Sequence, residues 1–339
     1  MKVLLVKTSS MGDVIHALPA VSDVLARVPS IELDWLVEQA YAPIVQWHPG
    51  VQRVIPIRLR HWRRQGWAAL RSGEIYQAVR QLRQQPYDCV IDAQGLVKSL
   101  LWVLLSRHRQ SHGYDRHSIR GRGISWLYDQ QASVSWDLSA VQRIRHLFAQ
   151  VFNYTPPVAQ PDYGIAAGMQ SKTAVSSAYV TCFPNSSAAN RYWPVSHWQQ
   201  LIERIIDAGL AVQLSAGTAQ EFAYCQQLVV HPKVEILNQY SIAQLGPIIA
   251  NATAVVGLDT GLVHLATAMH KPTVTLHGPT RLAAPDQWQV PLTANVACAP
   301  CLKRVCQHPE GMFHDIAPCL ASIEVDTVWQ ALQAQLINR

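Results

Sequence analysis

Short runs of aliphatic and β-branched residues recur along this chain, each separated from the next by enough residues for one helix. The runs at 3–6, 33–37, 89–91, 179–183, 212–214, 234–237, 254–256 and 273–276 read as strands, and the segments 14–28, 76–84, 195–208 and 242–251 carry helical spacing. Such alternation predicts parallel sheets covered by helices. At 339 residues, 49% of them apolar, the chain exceeds what one core comfortably organises. Two doubly wound α/β halves facing a cleft are therefore expected. Periodicity breaks at 154–171, where three prolines and two glycines mark a linker between a domain at 1–160 and another at 172–325. The last segment, 326–339, reads as a helix that packs back on the first domain.

The net charge of +6 is unevenly placed. No acidic residue falls in 40–72, which holds Arg53, Arg58, Arg60, Arg63, Arg64 and Arg71, and a second basic cluster holds Arg107, Arg109, Arg116, Arg120 and Arg122. Arginine in place of lysine favours forked bonding to phosphate or carboxylate, so an anionic partner is expected on the N-terminal half. Nucleic acid is not expected, since no helix-turn-helix, zinc-finger or aromatic RNA platform accompanies the arginines. The start of the chain lacks a basic leader and cleavage site, and no run of eighteen apolar residues occurs, so neither export nor a membrane span is expected. Seven cysteines, an odd number, suit reduced thiols better than a secreted disulfide scaffold.

Three loops that follow strands and open helices have the form of ligand sites in α/β sheets: 8–13 (TSSMGD), 185–194 (NSSAANRYWP) and 259–264 (DTGLVH). Neither G-x-G-x-x-G nor a P-loop occurs, which removes the main support for dinucleotide or P-loop chemistry. Asp-x-Asp is absent too, so a diphosphate would be held by protein cations and helix ends, with no metal. Asp259-Thr260-Gly261 lacks the second copy and the β-loop setting of an aspartic protease, and its plain reading is a helix cap. The run Cys298, Cys301, Cys306, Cys319 reads either as a structural zinc site or as free thiols. Lys98 with 100–105 reads either as a membrane-facing surface or as core.

Four stretches in this order, VKTSSMGDVIHALPA (6–20), VIDAQGLVKS (90–99), RYWPVSHW (191–198) and GLDTGLVHLATAMHKPTVTLHGPT (257–280), resemble the bacterial lipopolysaccharide heptosyltransferases of glycosyltransferase family 9, above all those of type I. The resemblance implies a GT-B fold of two Rossmann-like domains and inverting, metal-independent transfer without a cofactor. It implies ADP-L-glycero-D-manno-heptose as donor, Kdo–lipid A as acceptor, and a place on the cytoplasmic face of the inner membrane. Carried over residue by residue, Asp13 matches the general base. Ser186, Ser187 and Arg191 match positions on the donor diphosphate, Glu221 one on the ribose, and Asp259, Thr260, Gly261 and His264 others around the donor. Ser10, Gly12, Arg60, Arg63, Arg64 and Arg120 match acceptor positions. Read alone, Asp13 is a helix-capping aspartate and Glu221 a solvated helix start. A type II-like enzyme acting on another core sugar, and a non-catalytic module for anionic glycolipid, stay open at this point.

Overall fold

A computed structural model describes residues 1–121, 123–166, 178–186, 191–281, 286–303, 305–308 and 317–337. The chain divides into two compact units, Met1–Gly168 and Met169–Arg339. Within the segment read as linker, Tyr163 and Ile165 are buried.

The first unit holds β1 (Lys2–Val6), β2 (Glu32–Glu38), β3 (Val51–Ile57), β4 (Tyr87–Asp92), β5 (His108–Tyr114) and β6 (Gln130–Ala132). They pair in parallel in the order β3-β2-β1-β4-β5-β6. The second unit repeats the plan with β7 (Tyr179–Phe183), β8 (Ala211–Ala216), β9 (Val234–Asn238), β10 (Ala254–Leu258), β11 (Thr273–His277) and β12 (Gln289–Thr293), ordered β12-β11-β10-β7-β8-β9. Both are the doubly wound order 3-2-1-4-5-6, in which the winding direction reverses between the first and fourth strands and leaves a crevice at their carboxyl ends. Register brings those ends level, with Val6 beside Asp92 and Phe183 beside Gly257.

All eight strands read from the sequence are present, and four further ones, β3, β5, β6 and β12, complete the sheets. β3 and β12 carry Pro56 and Pro291, which a strand tolerates at a sheet edge, and both lie at edges. β5 (HRQSHGY) is mostly polar and is ordered by its neighbour: Ser111 donates to Asp129 through its amide and hydroxyl at 2.8 and 2.7 Å. The helix read at 14–28 is two, Met11–Ile15 and Leu18–Arg27, with Pro19 in the first turn of the second. The last helix, Val325–Ile337, buries Val325, Val328 and Leu332 in the core of the second unit, against the helix Val195–Asp207 and strands β10 and β11. Among the described residues no helix is long and apolar enough to cross a membrane.

Candidate active site

In the first unit the buried run Val3–Val6 ends and the chain turns through Lys7, Thr8, Ser9 and Ser10 into the helix Met11–Ile15. Asp13 stands in the first turn of that helix, not at its N-cap, which is Ser10. Its Oδ2 accepts from the Ser10 amide and hydroxyl, each at 3.0 Å. Its Oδ1 faces two cations, the Lys7 ammonium at 3.8 Å and the Arg120 guanidinium at 3.5 Å. Capping and charge presentation are thus shared between the two oxygens of one carboxylate.

The neighbouring strand β4 holds this turn in place. Gln94 Oε1 accepts from the Thr8 and Ser9 amides at 3.2 and 3.1 Å, Lys98 Nζ donates to Ser9 Oγ at 2.6 Å, and Lys7 Nζ donates to the Ala93 carbonyl at 2.9 Å. Asp92, fully buried at the end of β4, accepts from the amides of Gln94 and Gly95, the Ser99 hydroxyl and the Tyr128 hydroxyl. Those bonds fix the loop that carries Gln94. Gly95 has φ +63°, and its carbonyl accepts from Gly121, tying in the segment that bears Arg120. Lys7, Asp13, Gln94, Tyr114, Arg120 and Arg143 line a small concavity there.

Burial alone would raise the Asp13 carboxyl; the Lys7 and Arg120 charges and the Ser10 amide outweigh it and hold the group below its ordinary range. Burial brings the Lys7 ammonium down to about 8, with Asp13 opposing that fall. At neutral pH the site therefore presents an ionised carboxylate between cations, suited to orienting a hydroxyl.

Of the arginines matched to an acceptor, Arg60, Arg63 and Arg64 lie exposed on the helix Leu59–Gln65, with Arg60 stacked 5.7 Å from the Tyr41 ring centroid. Arg53 and Arg58 are structural, paired with Asp34 at 2.9 Å and Glu74 at 3.2 Å. Ser10 is exposed and Gly12 half-buried on the same turn as Asp13.

In the second unit the loops after β7 and β10 flank the other switch point. Asp259 and Thr260 lead from β10 into the helix Gly261–Ala268, whose first amides are free of intrahelical partners by construction and attract an anion. Asp259 Oδ1 lies 3.1 Å from His264 Nε2. Burial would raise Asp259, but the bond from His264, the charges of His264 and His277 and the Thr280 hydroxyl hold it well below the carboxylate range. After β7, Asn185 ties the loop down by donating to the Ser215 carbonyl at 2.8 Å, and the Ser186 carbonyl accepts from Tyr192. Arg191 is half-buried, and its Nε finds no partner among the described residues. Ser187 lies outside the described residues. Glu221, in the first turn of the helix Ala219–Gln226 that follows β8, accepts from the Gly217 amide at 2.7 Å, so its carboxylate already serves the turn.

Lys7, Gln94 and Asp92 were not singled out as site residues by sequence reasoning, although all lie in or beside the quoted stretches VKTSSMGD and VIDAQG. Cys298, Cys301, Cys306 and Cys319 form no disulfide, and among the described residues no three His, Cys, Asp or Glu side chains are grouped to hold a metal.

The family model for glycosyltransferase family 9 (heptosyltransferase) matches residues 75–311. Lipopolysaccharide heptosyltransferase 1 of Pseudomonas aeruginosa is 39% identical over 312 residues, covering 91% of this chain and 88% of that protein. The protein of the same name from Escherichia coli K12 is 37% identical over 282 residues, 83% of this chain and 88% of that one. Among solved structures, the E. coli heptosyltransferase WaaC with ADP superposes with a TM-score of 0.87 at 32% identity, over 99% of this chain and 100% of that one. The same enzyme with ADP-2-deoxy-2-fluoro heptose gives 0.84 at 32% identity, over 98% and 99% of the two chains. The expected GT-B class, two parallel-sheet α/β domains, is met. Similarity at this level over most of its length, on sheets with ligand-type loops at both switch points, makes the chain a member of glycosyltransferase family 9, the heptosyltransferases.

Proposed function

We propose that the chain transfers L-glycero-D-manno-heptose from ADP-heptose to Kdo of Kdo–lipid A, with inversion and without a metal, at the cytoplasmic face of the inner membrane. The observation that carries the mechanism is the ionised Asp13 carboxylate set between Lys7 and Arg120 at the β1/β4 switch point. An acceptor hydroxyl hydrogen-bonded to Asp13 attacks the anomeric carbon of the heptose from the face opposite ADP. The new C–O bond forms as the bond to the β-phosphate breaks, ADP leaves with the electron pair, and the hydroxyl proton passes to Asp13. Charge developing on ADP is met by Arg191, Ser186, Ser187 and the amides that open the helix Gly261–Ala268, with Asp259, Thr260 and His264 around the donor and Glu221 on the ribose. Arg60, Arg63, Arg64 and Arg120, with Ser10 and Gly12, hold the carboxylates and phosphates of the acceptor. An acceptor carboxylate that draws Arg120 away leaves Asp13 a stronger base in the complex than in the free protein.

The test is transfer from ADP-heptose to Kdo–lipid A in EDTA by the parent and by Asp13→Ala, with donor binding measured beside it. Transfer by the parent that falls by about 10²–10⁴-fold in the variant while donor binding survives is the expected result. Equal rates would remove Asp13 from the mechanism, and transfer only to a heptosylated core would reassign the acceptor.

A further inference from the structure

The helix Val97–Leu105 is apolar on nearly every side, yet only part of it is covered. Ser99, Leu100, Trp102 and Val103 are buried, whereas Val97, Leu101 and Leu104 are 67%, 52% and 56% exposed. The spacing i, i+4, i+7 puts these three on one stripe. Going round the helix, Lys98 lies between that stripe and Trp102, whose ring packs on Trp62 with centroids 6.1 Å apart. Trp62 belongs to the helix Leu59–Gln65, so that helix borders the stripe on its Lys98 side and presents Arg60, Arg63 and Arg64 to solvent. Lys98 feels the charge of both Arg60 and Arg63. The nearby carboxylate of Glu38 is buried and engaged with the amides of Leu59 and Arg60, so the exposed charge of this face is cationic. Beyond Gly66 the next helix, Trp67–Arg71, repeats the composition with Trp67 and Leu70 exposed beside Arg71.

We propose that this face seats on an anionic lipid bilayer. Val97, Leu101 and Leu104 enter the boundary between headgroups and acyl chains, and Lys98, Arg60 and Arg63 meet the phosphates above it. The inference deepens the acceptor-side reading given above and rests on it for its purpose, because Lys98 reaches Ser9 on the turn that carries Asp13. A bilayer is favoured over a second copy of the chain by charge, since the basic rim would repel itself across a symmetric contact but is attracted to phosphate headgroups. A helix of nine residues is far too short to span, so the contact is interfacial.

The test is sedimentation of the full chain with vesicles of phosphatidylcholine alone or mixed with phosphatidylglycerol. The triple variant Val97→Ser, Leu101→Ser, Leu104→Ser is compared with a control, Val229→Ser, Val230→Ser, on an exposed apolar pair of the second unit. The parent and the control are expected to bind the anionic vesicles and to release them at about 0.5 M salt. The triple variant is expected to partition at least about tenfold more weakly while still unfolding cooperatively in a thermal melt, because more than half of each side chain is exposed and Leu100, Trp102 and Val103 keep the buried face of the helix. Failure of the parent to bind anionic vesicles, or equal binding by the triple variant, overturns the proposal. So does a triple variant that changes only from dimer to monomer in sedimentation velocity, which assigns the stripe to a second copy. Transfer to a deacylated, water-soluble acceptor is measured in parallel and is expected to be equal in parent and triple variant. Its absence from the parent would count against the heptosyl-transfer reading and leave the vesicle result standing by itself.

Discussion

The Lys7 ammonium stands 3.8 Å from Asp13 Oδ1 and gives its short bond, 2.9 Å, to the Ala93 carbonyl instead. Lys7 therefore acts on Asp13 as a fixed charge through space, with the backbone of the β4 loop as its anchor. Lys7→Met keeps most of the buried volume and removes the charge. The Asp13 carboxyl is then expected to titrate higher, because one of the two charges that hold it down is gone. The acid limb of kcat/KM moves up accordingly, whereas Lys7→Arg keeps it low. A pH–rate profile of parent and variants checks this, and coincident acid limbs would show that Lys7 does not tune Asp13.

The same group gives a stability signature. Folding lowers Lys7 from 10.5 to about 8, so between those values the unfolded chain holds a proton that the folded chain has lost. Stability contributed by this group is therefore lowest below about pH 8 and rises as pH climbs toward 10.5. The whole rise is on the order of 3 kcal/mol. Lys7→Met lacks it. Urea unfolding of both proteins at several alkaline pH values reads the difference, and parallel curves would contradict the burial argument.

Gln94 accepts two amide donors of the turn through one oxygen. Gln94→Ala leaves the buried Thr8 amide unpaired, which costs about 1–3 kcal/mol and loosens the turn that aims Asp13. Turnover is expected to fall about tenfold or more with little change in ADP affinity, since the loops proposed to hold the donor belong to the other unit. Steady-state kinetics beside ADP titration separates the two, and an equal loss in both would count against it.

How much of this was legible follows the physics of each signal. Buried central strands such as Val3–Val6 and Ala254–Leu258 are unbroken apolar runs, so they announce themselves, and with them the loops at both switch points. β5 could not be read that way, because its order comes from Ser111 pairing with Asp129 eighteen residues on. Pro56 and Pro291 hid the edge strands β3 and β12. Asp13, Asp259 and Arg191 lie in local motifs, and the roles proposed for them rest on the resemblance those motifs carry. The supports Lys7, Gln94 and Asp92 act through contacts made only when β4 lies beside β1, and no spacing in the sequence encodes that adjacency.

Arg191 offers a cleaner separation of binding from folding. Its Nε has no partner among the described residues, so truncation removes little that holds the native state together. A charge-assisted bond to a phosphate contributes about 1.5–3 kcal/mol. Arg191→Ala is thus expected to raise the donor KM by about 10–100-fold with a thermal midpoint close to the parent's. Arg191→Lys keeps the charge, loses the fork and should fall between. A large fall in melting temperature would reveal a structural role instead.

Gly113 tests the scaffold behind the site. A Cβ at this β5 position would lie 2.4 Å from two carbons of the Tyr128 ring. The ring cannot easily yield, because Tyr128 is buried and its hydroxyl donates to Asp92 at 2.8 Å. Asp92 is itself fully buried, and burial raises its carboxyl even with four donors around it, so losing one donor is costly. Gly113→Ala is expected to destabilise the protein by about 2–3 kcal/mol through overpacking and the displaced hydroxyl together. Tyr128→Phe, which removes the hydroxyl alone, should cost about 1–2 kcal/mol. In a Tyr128→Leu background the added methyl meets a smaller side chain, and the cost of Gly113→Ala should shrink. Chemical denaturation of the four proteins in that cycle measures the coupling, and an additive cycle would mean that the two residues do not act on Asp92 through one another.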